Sequence, residues 1–240
     1  MREYFQRMED GVKVNIEVDM NAFAYSEKFS WLFSVFVKYD ALEENSEAYE
    51  EFLETKESLI IALEHGNRAK FAGMRIVEGW SEFYFYASSS KELDLIVAKM
   101  LNPSDYAYES NVVKDAKWDF NYKNLSPTEL EQAHIQSEKI IFLLEEEGDA
   151  IGVSRPVEHY VSFETPTQKN RFVNTLDIEG FSFKDEIESE DFEHGIALVK
   201  EHSVTSEEVR KVVEELFASV KKEKGFYEGW STVLVEEETL

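Results

Sequence analysis

The sequence predicts an α+β protein of two domains, each an antiparallel sheet with its helices on one face. Three observations carry this. From Asp149 to Trp230 the hydrophobic pattern spells strand, helix, strand, strand, helix, strand. The first half repeats that order behind an additional N-terminal strand. Finally, 240 residues with 43% hydrophobic content suit two cores of roughly 100–120 residues each better than one.

In the first domain, residues 1–124, Val12, Val14, Ile16, Val18 and Met20 alternate with polar residues, the period of a half-buried strand. Trp31–Val37 is a more continuous apolar run and suits a central strand. A helix follows near Glu47–Glu64, with Phe52, Leu59, Ile60 and Leu63 toward the core and Gly66 as its stop. Ala69–Val77 and Trp80–Ala87 read as strands around a Glu78-Gly79 turn. Ser90 is placed to cap a helix through Leu93, Val97 and Met100 that ends at Asn102-Pro103. Tyr106–Val113 closes the domain as a strand.

Ser126-Pro127-Thr128-Glu129 starts a helix, with Ser126 as the capping residue. Its stripe of Leu130, Ala133, Ile140, Ile141 and Leu144 makes residues 125–148 a connector helix packed between the halves.

The second domain, residues 149–240, opens with a strand at Tyr160–Glu164 and a helix capped by Thr165-Pro166. Phe181–Ile187 and Gly195–His202 are its middle strands. Thr205 caps the last helix, whose core face is Val209, Val212, Val213, Leu216, Phe217 and Val220 at helical spacing. Gly225 ends that helix, and Tyr227–Val235 is the final strand; Trp230, like the other strand tryptophans, reads as core or sheet-face packing, with partial exposure beside Gly229 at the strand entrance as the alternative.

The formal net charge is −25. Such a field repels phosphate backbones, which argues against direct nucleic-acid binding, and it favours a basic protein surface as partner. The most acidic turn runs from Asp185 to Glu193; within it Glu186, Glu188, Glu190, Asp191 and Glu193 are candidate docking residues for lysine and arginine side chains. The same run also reads as a solvated hairpin tip.

Catalytic, cofactor and metal signatures do not emerge. The chain has no cysteine, which excludes disulfides and thiolate metal sites. Its five histidines show no helical zinc spacing. Gly152-Val153-Ser154 lacks the second glycine of a nucleophile elbow, and no phosphate loop or dinucleotide fingerprint occurs. His159 and His202 fall on neighbouring predicted strands, so an acid–base role for His159 beside Arg155 or Tyr227 is conceivable, against the plainer reading of isolated histidines. Residues 1–10 lack the apolar run of a signal peptide, and no stretch approaches the ~20 apolar residues of a membrane span. The expectation is a cytoplasmic protein without membrane contact.

Gly148-Asp149, Arg155-Pro156-Val157-Glu158-His159, Phe163 and the closing Gly225-Phe226-Tyr227-Glu228-Gly229-Trp230 resemble the family named regulator of ribonuclease E activity B, over about residues 149–235. Residues from about 10 to 124, with Val14-Asn15, Trp31 and Trp118-Asp119-Phe120-Asn121-Tyr122, are similar to a domain of unknown function often fused ahead of it. The resemblance implies a ferredoxin-like α+β sandwich and a non-enzymatic protein that binds and inhibits a ribonuclease without cutting RNA. It marks Asp149, Arg155, His159, Tyr227, Gly229 and Trp230 as family-motif residues with no catalytic content. The fused N-terminal domain departs from the family's stand-alone form, so the partner's identity does not follow from the resemblance. The expected function is that of an acidic regulatory protein docking on a basic surface, with a ribonuclease or RNA-degrading assembly as the implied target. An enzyme or small-ligand binder using an interdomain cleft, and a neutralising partner of a basic toxin, are the alternatives.

Overall fold

The computed structural model describes residues 1–39, 46–176, 180–187 and 194–236, and the chain divides into two compact units, residues 1–126 and 127–240. The first unit runs β1 (Arg2–Glu9), β2 (Val12–Asp19), β3 (Trp31–Lys38), α1 (Glu47–Glu64), β4 (Ala69–Val77), β5 (Trp80–Ala87), α2 (Leu93–Leu101) and β6 (Tyr108–Lys114). Its six strands lie in the order β1-β2-β4-β5-β3-β6, all neighbours antiparallel. The stretch β4-β5-β3-β6 is the sheet of a strand-helix-strand-strand-helix-strand unit, and the β1–β2 hairpin extends it by two strands.

That hairpin contains a strand the hydrophobic pattern does not announce. In β1 the inward side carries Glu3, Phe5, Arg7 and Glu9, while Tyr4 and Met8 point outward and are 64% and 65% exposed. The inward charges are paired: Arg75 reaches Glu9 at 2.5 Å, and Arg7 donates to the Ser126 carbonyl at 2.9 Å. Polarity is inverted relative to an ordinary half-buried strand, so the period-two signal is lost. Asp10 and Gly11, at φ 50° and 84°, form the two-residue turn whose left-handed backbone matches strand twist.

α1 and α2 cover one sheet face through Phe52, Leu59, Leu63, Leu93 and Val97. Lys56 of α1 is held against the buried Glu17 of β2 at 2.8 Å. The opposite face is covered as well, by Ala22, Phe29, Trp118 and Leu125. Trp118 stacks on Tyr86 at 3.6 Å between ring centres, and its Nε1–H donates to the Phe29 carbonyl at 2.6 Å. α2 begins at Leu93 behind a left-handed Glu92 (φ 66°) with no side-chain cap, so Ser90 does not cap it.

The second unit runs α3 (Glu129–Glu146), β7 (Arg155–Ser162), α4 (Pro166–Thr175), β8 (Ser182–Ile187), β9 (Gly195–His202), α5 (Ser206–Lys222) and β10 (Phe226–Thr232). Its sheet order is β10-β7-β9-β8, all antiparallel. The helix that reads as a connector lies within this unit, where α3 packs on α5 and β10. Its cap is Thr128 rather than Ser126: Thr128 Oγ1 accepts from the Glu131 N–H, and Glu131 reaches back to the Thr128 N–H at 2.7 Å, a complete capping box. Thr165 and Thr205 cap α4 and α5 as the sequence predicts, each accepting from the N–H three residues on. No helix among the described residues is long and apolar enough to cross a membrane.

Candidate functional site

The six motif residues all fall in the second unit, and most turn inward. β7 pairs with β10 so that His159 stands opposite Trp230, and with β9 so that Arg155 stands opposite His202. Alternation along β7 sends Val157, His159 and Val161 toward the helices, each with 0% exposure.

His159 Nδ1 lies 3.0 Å from the Tyr227 hydroxyl, and its Nε2 lies 3.1 Å from Nε2 of His202. His202 Nδ1 lies 2.7 Å from the Ser203 carbonyl. A carbonyl only accepts, so His202 carries its proton on Nδ1 and offers a lone pair at Nε2. His159 must then donate from Nε2 and accept at Nδ1 from Tyr227. The protons therefore run in one order: Tyr227 to His159, His159 to His202, His202 to the backbone. Burial, then the neighbouring His202 and Lys200, pushes His159 down to about 3; burial also lowers His202. Burial raises the Tyr227 phenol. The result is a neutral, fully ordered chain with His159 sealed from solvent.

Asp149 and Arg155 make a second buried pair. Arg155 Nη1 meets Asp149 Oδ2 at 2.6 Å, with the two side chains 3% and 0% exposed. The guanidinium also donates to the carbonyls of Val153, Ala150 and Val233, while the Val235 N–H donates to Asp149 at 2.8 Å. Burial alone would raise the Asp149 carboxyl; the Arg155 and Val235 hydrogen bonds outweigh it and hold it low. This pair staples the loop after α3 to the segment that follows β10.

Gly229 sits at φ 128° in the bulge between Tyr227 and Trp230, a conformation that side-chain-bearing residues rarely adopt. The bulge lets Tyr227 and Trp230 both turn inward. Trp230 is only 5% exposed, core packing rather than the alternative of partial exposure, because α3 covers it and Ser137 Oγ accepts its Nε1–H at 3.0 Å.

Of the acidic turn, Glu186 is described: it pairs with Lys169 of α4 at 2.8 Å while remaining 61% exposed. Glu188, Glu190, Asp191 and Glu193 lie outside the described residues. Among the described residues no group of three or more His, Asp or Glu is placed to hold a metal ion. The sequence pointed to His159 and His202 as strand neighbours. Their direct bond, and the Ser137–Trp230 contact, carry no local signal because both depend on pairing between distant segments.

Residues 2–126 match the model of a family of unknown function, DUF695. The chain belongs to that family. Residues 134–232 match the family Regulator of ribonuclease activity B. A search of the curated proteins finds no match. The DUF695 match coincides closely with the first unit. The regulator match begins inside α3, so it takes in most of that helix with the second unit.

Proposed function

We propose that this protein is a non-enzymatic regulator that docks, through its acidic surface, onto a basic surface of a ribonuclease or RNA-degrading assembly and lowers its activity. The observation that carries this is the match of residues 134–232 to the family Regulator of ribonuclease activity B. The chemistry of the second unit supports it. His159, the most strongly shifted imidazole, is fully buried and bonded on both ring nitrogens, so it offers no base to a substrate. A net charge of −25 disfavours contact with RNA and speeds encounter with a cationic protein.

The test adds the purified full chain to the host's principal endoribonuclease cleaving a fluorogenic RNA. Cleavage is expected to slow in proportion to complex formed, with the effect weakening as salt rises from 50 to 500 mM, roughly the range over which the Debye length falls severalfold. The chain alone should leave the RNA intact, as should its His159→Asn variant. An unchanged cleavage rate with no measurable association overturns the reading.

A further inference from the structure

The buried Asp149–Arg155 pair organises a surface as well as a core. It draws together three segments: the end of α3, whose Leu144 carbonyl accepts from the Asp149 N–H at 2.9 Å; the loop at 149–155; and residues 233–236, where the Ala150 N–H bonds the Val235 carbonyl at 2.8 Å. Large apolar side chains stand in solvent on all three. Leu143 is 63% exposed, Val153 48%, Val233 67% and Leu234 56%. Single exposed apolar residues are ordinary; these four stand on segments that the bonds above hold together.

Acidic residues gather at the end of α3 and beside Asp149. Glu145, Glu146 and Glu147 are exposed at the end of α3, and Glu236 is exposed where it bridges Asp149. No ion pair engages these four among the described residues. Arg155, beneath this surface, is bonded to Asp149. Acids at a helix C-terminus are also unfavourably placed against the helix dipole, so a cation arriving there relieves a local cost.

We propose that this corner of the second unit is a docking surface for a basic amphipathic helix of the partner protein, with apolar residues on one face and Arg or Lys on its flanks. The apolar patch takes the hydrophobic face and the four glutamates take the flanking cations. The inference rests on the regulatory reading above and names where that docking occurs, at a place distinct from the acidic turn at Glu186.

The experiment uses the full chain and two fluorescent peptides of equal positive charge, one an amphipathic Leu/Arg helix and the other a polar Gln/Arg sequence. The amphipathic peptide is expected to bind about tenfold tighter or more. The variant Leu143→Ser/Val233→Ser/Leu234→Ser should erase that preference. The variant Glu145→Gln/Glu146→Gln/Glu147→Gln should weaken both peptides and flatten their salt dependence. Because these side chains are exposed, both variants should keep the wild-type melting temperature, which separates lost binding from lost folding. Equal binding by wild type and variants, or no preference between peptides, overturns the site. So does a wild-type dimer in sedimentation that the serine variant dissolves, since a second copy would then be the occupant. If wild type and both variants inhibit the ribonuclease equally, the site fails while the regulatory reading stands. If the peptide binds at this corner but wild type inhibits no ribonuclease, the site stands and the regulatory reading fails.

Discussion

A second proton on His202 would set two N–H groups head to head across 3.1 Å inside the core, and one on His159 would fall on Nδ1, against the Tyr227 hydroxyl that donates to it. The pair is therefore a stability element with a definite pH sign. Both folded-state values lie below the ordinary histidine value, His159 at about 3. A histidine so depressed contributes stability that is fully present above the unfolded value of about 6.5 and is lost as pH falls toward the folded value. Between pH 7 and pH 5 the loss from His159 should reach about 2 kcal/mol, at about 1.4 kcal/mol per unit below 6.5. His159→Gln has no such proton to take up. The stability gap between wild type and this variant should consequently narrow by about that 2 kcal/mol over the same range. Urea unfolding of the second unit's transition at pH 7 and pH 5 measures it, and a gap independent of pH would mean that His159 is already solvated.

At the scale of elements, what was legible in the sequence was local. Thr165 and Thr205 cap their helices because a cap needs only a side-chain oxygen and an N–H three residues on. Ser126-Pro127-Thr128 offers two hydroxyls for one role, and Thr128 takes it because Glu131 stands where the reciprocal bond closes. Thr128→Ala should therefore cost about 1 kcal/mol, whereas Ser126→Ala should be close to neutral; equal effects in thermal unfolding would contradict the capping box. β1 escaped because its inward positions are charged and their partners, Arg75 and the Ser126 carbonyl, lie far along the chain. The covered second face of the first sheet escaped for a similar reason: Trp118 reads as an isolated aromatic until Tyr86 and Phe29 are brought to it. The candidate site was half legible. The motif residues could be named from the sequence, but their burial as staples depends on strand register, and the proposed corner beside them depends on three segments meeting.

Across the whole molecule, the placement of α3 decides what the second unit is. Ile141 is buried against Val157, Val204, Val209, Val213 and Trp230, with Leu130, Ile140 and Leu144 packed at its margin. Burying each such side chain contributes about 1.5–3 kcal/mol. A fragment beginning at residue 150 would lose Ile141, Leu130, Ile140 and Leu144 and also Asp149, leaving the Arg155 guanidinium buried without its partner; stranding a buried charge costs about 3–5 kcal/mol by itself. Together these losses rival the whole stability of a small domain, about 5–15 kcal/mol. A fragment of residues 127–240 should unfold cooperatively and show the near-ultraviolet dichroism of a packed Trp230. The fragment 150–240 should aggregate, or melt lower by about 10 °C or more for a unit of this size. Equal melting of the two fragments would make α3 the tether that its position in the sequence first suggests. A lower melting temperature for 150–240 would make α3 an integral layer of the second unit, and would fix the corner at Leu143 and Glu145–Glu147 as part of the same folded body as the motif residues.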